Sequence, residues 1–310
     1  MSWRQDTRTL LIDPGEIDLS DRAYYLPCYE DIDDLVESVR QVGFLSQPVV
    51  RKNDDGTFIP VLGRRRLYAA VKANLRQADM VEIAPDVGQQ TLIDLMFWDN
   101  LARIRNNLVC TAVMTRKLTE VFEIGLVAEK YLPWIVVPRK GPRIERLKLL
   151  ASLDERFLRA LWHGKIIEKT AALLAGLTHE ERSGMLDFIE YFGWNANKAS
   201  EILQSIHDIS VLEGRSVLAT ISEASAMLEK QRQDSDIVEK AIRMRTLIRA
   251  WKARDLVREE ISFEKWLETI VLPPNVQLRH AQSFESQSII LEIKAYSKDQ
   301  AAKLIEKLNG

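Results

Sequence analysis

Residues 58–75 read FIPVLGRRRLYAAVKANL, and the order of parts in this stretch decides what the first third of the chain is. Residues 58–62 form a short apolar run of strand length, residues 67–75 carry a helical pattern, and Gly63-Arg64-Arg65-Arg66 lies between them. A helix that starts directly behind a strand presents unpaired backbone N–H groups and a partial positive charge at the end of that strand. Glycine lets the backbone approach an anion closely, and planar guanidinium groups grip phosphate oxygens in pairs. Three arginines at a helix start also oppose the helix dipole, a local cost without structural return. The stretch therefore predicts an anion site; the competing reading is an exposed basic turn.

Working outward, a mixed α/β domain assembles around this point. Towards the N-terminus, DIDDLVESVRQVGF (31–44) places Ile32, Leu35, Val36 and Val39 at the spacing of an amphipathic helix, with Gly43 at the C-cap. QPVVRK (47–52), the turn signal DDG and TFIPVL (57–62) predict a hairpin. Residues 10–12 and MVEIAP (80–85) are further strand candidates, and a helix is expected from about Gln89 to Leu101. Asp99-Asn100-Leu101-Ala102-Arg103 closes the domain: Asp99 and Asn100 suit a hydrated Mg²⁺, which needs few protein ligands, and Arg103 lies one helical turn beyond.

From Asn107 to about Leu212 the strand signal almost vanishes. Helices are expected there, with breaks at Gly125, Pro133, residues 138–143, His163-Gly164 and residues 193–195. Residues 216–261 contain no glycine or proline and predict one or two long helices packed on a neighbouring domain. VLPPN (271–275) is a linker; residues 276–286 and 288–296 are strand-like; residues 297–309 predict a helix with Ser297 as N-cap. A two-stranded sheet with one helix is too small to stand alone, so this last unit should pack on preceding helices or pair with a second copy. A cap over the long helix with Trp251 and Trp266 as its core is the competing view.

Charge is segregated. The chain carries −2 overall, but residues 13–37 hold nine acidic groups against one basic, residues 136–169 nine basic against four acidic, and residues 243–258 six basic against one acidic. Each basic run suits a phosphate-contacting surface, or else a solvated helix face, and the acidic run at 30–37 reads as such a face. The longest apolar runs, such as residues 132–138, fall far short of the roughly 20 residues that cross a bilayer, so no membrane partner is expected. The charged start MSWRQDTRTLLID argues against secretion and for the cytoplasm. Cys28 and Cys110 lack CxxC spacing and are expected to stay reduced; the four histidines are too scattered for a zinc site, and His163 reads as a helix-end residue.

Taken together, LIDPGEIDL, DIDDLVESVRQVGFLSQPVVRK, FIPVLGRRRLYAAVKA and DNLARIRNNL resemble the four N-terminal signatures of the ParB family in their usual order. That family shares its N-terminal fold with sulfiredoxin. The resemblance is clear over residues 8–110 and weaker to 190. It implies an α+β protein: a ParB/sulfiredoxin-like nucleotide-binding domain (1–107), an all-α, helix-turn-helix-like DNA-binding domain (108–212), a long helical segment (213–262) and a small strand-strand-helix module (263–310) for dimerisation.

The resemblance also implies CTP bound with Mg²⁺, paired N-terminal domains closing as a clamp on DNA, association with the nucleoid, and a partition ATPase as a partner. By position, Gly63, Arg65 and Arg66 match the family's triphosphate contacts, Asn100 its metal ligand with Asp99 beside it, Arg103 a further phosphate-side contact, and Gln47 a pocket-lining glutamine. In the helix-turn-helix, Arg139, Lys140, Arg143, Arg146 and Lys148 are the expected DNA contacts, with Ile144, Leu147 and Leu150 packing inward; the preceding EKYLPWIVVP carries a proline and Trp134 where a compact turn is expected. The family's glutamate between Gly63 and Arg65 is Arg64 here, and its glutamate before Asn100 is Asp99. Gaining a cation favours anion binding over hydrolysis, at most a weak CTPase. With no cysteine at 63–66 a thiol reductase is not expected. The alternatives are a phosphate-ester enzyme of the same fold, a nuclease or phosphotransferase, and a relative without nucleotide that binds DNA or protein.

Overall fold

The computed structural model describes residues 7–135, 141–230, 236–270, 276–280, 289–298 and 301–302. The chain divides into two compact units, residues 1–164 and 165–310.

The first unit is built on a four-stranded sheet of order β1-β4-β2-β3, with β1 at Thr7–Ile12, β2 at Val49–Lys52, β3 at Phe58–Leu62 and β4 at Ala78–Ile83. β2–β3 is the expected hairpin, β4 lies parallel to β2, and β1 runs antiparallel to β4. Pro60 donates no hydrogen bond, and it sits on β3 at the edge of the sheet, where a strand tolerates proline. Arg8 and Glu82 face each other across β1 and β4 and form an ion pair. Helices α1 (Asp33–Val42) and α2 (Arg64–Lys72) pack on one another through Val36, Val39, Ala69 and Ala70, and Leu67 of α2 enters the core with Ile12, Ile17, Val50 and Met80. Gly43 ends α1 in a left-handed conformation, φ 66°.

The helix expected at 89–101 is two: α3 (Gln89–Asp99) and α4 (Leu101–Asn106), hinged at Asn100, whose side-chain amide donates back to the Met96 carbonyl at 2.8 Å. Asn107, the proposed domain edge, caps α5 (Leu108–Val121) by accepting from the N–H groups of Val109 and Cys110. With residues 109–115 all buried, α5 is the axis of the helical layer and touches α3, α4, α6 (Ile124–Lys130), α7 (Gly141–Ala151) and α8 (Glu155–Trp162).

The break placed at Gly125 belongs three residues earlier: Phe122 is extended and Gly125 lies inside α6. The EKYLPW segment leaves the helix at Tyr131, and Pro133 sits in a 3-10 turn at Leu132–Trp134, so the proline ends the helix instead of bending it. Asp94 on α3 ties this corner down, accepting from Lys130 Nζ at 2.8 Å, Tyr131 Oη at 2.8 Å and Trp98 Nε1 at 3.2 Å while itself buried.

The second unit is helical: α9 (Glu168–Ala175), α10 (His179–Phe192), α11 (Ala196–Leu212), α12 (Val217–Glu229) and α13 (Ile237–Glu268), followed by the antiparallel hairpin β5 (Val276–His280) and β6 (Ile289–Ile293). Thr178 and Glu181 form a reciprocal capping box at the start of α10. The long polar stretch is thus two helices. Trp251 is buried and donates to Glu213 at 2.9 Å, whereas Trp266 is exposed. Most of the helix expected from Ser297 lies outside the described residues, among which no helix is long and apolar enough to cross a membrane.

Candidate anion-binding site

Gly63 caps α2 with φ 78°, a left-handed conformation that disfavours any side chain. A Cβ there would also lie 3.0–3.2 Å from the Arg66 guanidinium, which folds back beneath the glycine to donate to the Ser46 carbonyl. Arg65 reaches the other way, pairing with Glu30 at 3.0 Å and donating to the Asp31 carbonyl at 3.3 Å. The acidic run expected as a solvated face therefore meets the arginine box at its first members.

Arg64 turns its guanidinium into the wall. It donates to the carbonyls of Leu19, at 2.7 Å, and Asp21, and lies 5.3 Å from the centre of the Tyr25 ring. Burial holds its pKa below the ordinary arginine range.

These residues open onto a cavity of about 810 Å³, inside the range of small-molecule sites. Gly63, Arg64, Arg65, Arg66, Asp99, Asn100 and Arg103 all line it. Gln47 is half-buried just ahead of β2 and outside the lining. Arg103 donates to the Asn100 amide oxygen, fixing which end of that amide is acceptor. Six arginines line the cavity against three carboxylates, so it attracts anions.

Asp99 and Asn100 offer the hard oxygen donors that Mg²⁺ prefers. Among the described residues no group of three His, Cys, Asp or Glu could hold a metal on protein ligands. A Mg²⁺ carried mainly by phosphate and water does not need one.

Half of the wall is absent from the sequence reading. The segment 19–30 covers the cavity with Arg22, Tyr25, Cys28 and Tyr29, and α8 contributes Glu155 and Arg159. Three helices hold this segment: α2 through Arg64, α5 through Lys117, which donates to the carbonyls of Arg22 at 3.1 Å and Ala23 at 2.6 Å, and α8 through an Arg22–Glu155 ion pair of 2.8 Å. Arg22 lies 5.0 Å from the centre of the Tyr25 ring and Arg159 4.4 Å from that of Tyr29, whose edge meets Trp162. Hydrogen bonds from Arg22 and Arg159 hold the Glu155 carboxyl below the usual range, and burial pushes the Tyr29 phenol up. No local period or motif marks these positions; the one available signal was two tyrosines beside a basic residue in RAYYLPCY.

Cys28, remote in sequence from Gly63, lines the same cavity, while Cys110 is buried, donates to the Pro27 carbonyl, and has its thiol pushed up to about 12 by burial. Both are free thiols.

Of the expected DNA contacts, Arg143, Arg146 and Lys148 lie on α7 and Arg139 and Lys140 lie outside the described residues. Ile144, Leu147 and Leu150 are buried as expected, Arg146 is exposed, and Lys148 pairs with Glu145 at 3.1 Å. His163 is the C-cap of α8.

Residues 16–98 match the ParB N-terminal domain family. No curated protein sequence matches the chain significantly. Two solved structures of the C-terminally truncated chromosome-partitioning protein ParB from Caulobacter crescentus match the chain. One, complexed with CTP-γ-S, is 21% identical with a TM-score of 0.25, covering 55% of this chain and 93% of its own. The other, complexed with the centromeric parS site, is 17% identical with a TM-score of 0.31, covering 62% and 97%.

Proposed function

We propose that this chain, whose residues 16–98 match the ParB N-terminal domain family, is a nucleotide-switched DNA-binding protein of partition or regulation. The observation that carries this reading is the arginine-rich cavity at the start of α2, where Gly63–Arg66 and Asn100–Arg103 converge from separate elements. Orphan N–H groups at the α2 start and the guanidinium groups of Arg65, Arg66 and Arg103 would hold the phosphates of CTP, the nucleotide the sequence signatures imply. Asp99 and Asn100 would hold Mg²⁺, which neutralises charge between phosphates when bound.

Binding is favoured over turnover because Arg64 replaces a carboxylate at the phosphate end and spends its donors on the wall. Arg143, Arg146 and Lys148, with Arg139 and Lys140, would contact DNA as a helix-turn-helix does, on a homodimer paired through residues 263–310 and associated with a partition ATPase at the nucleoid.

Titration of labelled CTP, ATP, GTP and UTP with Mg²⁺, with and without DNA, tests the reading. CTP should bind wild type and lose at least about tenfold in Arg65→Ala, which removes a charge-assisted contact. DNA affinity should fall with salt at roughly −0.9 per neutralised phosphate. Absence of triphosphate binding at millimolar concentration would overturn it.

A further inference from the structure

We propose that Arg22 and Arg159 form a second anion subsite of this cavity, which the Glu155 carboxylate fills until a phosphoryl group of the ligand displaces it. The inference rests on the reading that the cavity takes a polyphosphate. Glu155 is held as a phosphate would be: Arg22 Nη2 meets Oε2 at 2.8 Å, while Arg159 meets Oε1 through Nη2 at 2.7 Å and Nε at 3.2 Å. Two guanidinium groups thus divide the two oxygens of one anion, and all three residues line the cavity.

The arginines do not depend on Glu155 for their places. Arg22 lies over Tyr25 and Arg159 over Tyr29, and the Arg22 backbone is fixed by Lys117. Removing the carboxylate leaves a preformed pair of cations. The pair is also easy to displace: the side chains of Arg22, Arg159 and Glu155 are 65%, 54% and 39% exposed, and ion pairs in water contribute little. A doubly charged phosphoryl group outcompetes a single carboxylate at such a site.

Displacement has a local consequence. Arg159 and Glu155 are four residues apart on α8, so that pair belongs to one helix, whereas Arg22–Glu155 joins α8 to the segment over the cavity. An anion that takes both arginines from Glu155 replaces a protein contact with a ligand contact at the end of α8.

If Glu155 merely tied α8 in place, its removal would loosen the wall and weaken binding; if it competes, removal tightens binding. The experiment is calorimetric titration of tripolyphosphate, with CTP–Mg²⁺ in parallel, into wild type, E155Q and E155Q/R159Q, with circular dichroism to verify helical content. The expected result is about threefold to tenfold tighter tripolyphosphate binding by E155Q, within what an exposed ion pair can mask, and loss of that gain in the double variant. An E155Q that binds tripolyphosphate no better than wild type, including no binding by either, overturns the proposal. Failure of CTP to bind wild type overturns the preceding reading instead, and the two results are separable because tripolyphosphate has no base.

Discussion

Two arginine-rich stretches of this chain carry similar signals in sequence and opposite meanings in structure. Arg64–Arg66 and the run 243–258 both offer a cluster of cations on a helix. In the second, α13 meets α11 carboxylate by carboxylate: Arg245 pairs with Glu201 at 2.7 Å, Arg249 with the same group, Lys252 with the buried Asp208, and Arg254 with Glu213 at 3.7 Å. These charges hold two helices together, which corrects the expectation of a phosphate-contacting face at these four positions. In the first, the carboxylates are fewer than the arginines and a cavity remains between them. A basic run predicts a ligand site only where the fold leaves it short of anions.

The sharpest way to break the α11–α13 side is Asp208→Ala. It leaves the half-buried Lys252 without its partner and should cost the second unit about 3 kcal/mol, read by urea denaturation, with triphosphate binding unchanged. The same group sets an acid limit. Burial alone would raise the Asp208 carboxyl, but the nearby His207 ring and the hydrogen bonds from Lys252 and Gln204 outweigh it and hold it at about 2, below the ordinary 3.8. A depressed carboxyl contributes stability in full above its unfolded value. The contribution should therefore be complete above about pH 4 and fade as pH falls towards 2, in wild type and not in Asp208→Asn.

On the cavity side, Gly63→Ala forces φ 78° on a side chain and drives a Cβ against Arg66; it should cost about 1–2 kcal/mol and weaken triphosphate binding together, measured by melting and titration. The smallest effect belongs to Arg249→Ala. Its partner Glu201 keeps Arg245, and its own side chain is 56% exposed, so the loss should stay below about 1 kcal/mol.

Much of the first unit could be read ahead of its structure because its signals are local. The apolar run FIPVL, the apolar spacing of 32–39 and the glycines at 43 and 63 each act within a few residues, and each lies where expected. Residues 63–66 and 99–103 stood out for the same reason, and members of both line one cavity. Glu155 and Arg159 were not: Glu155 meets Arg22 across 133 positions, and nothing in DERFLRALW distinguishes a cavity wall from a solvated face. The end of α5 was misplaced because Gly125 looked like a breaker, yet glycine in the first turn of a helix is tolerated and the chain had already turned at Phe122.

The most direct test of the contrast is a side-by-side titration of CTP–Mg²⁺ into wild type, Arg65→Ala and Arg249→Ala. Binding lost by at least about tenfold in the first variant and kept in the second is the predicted result. Equal effects in both variants, or no binding by wild type, would contradict it.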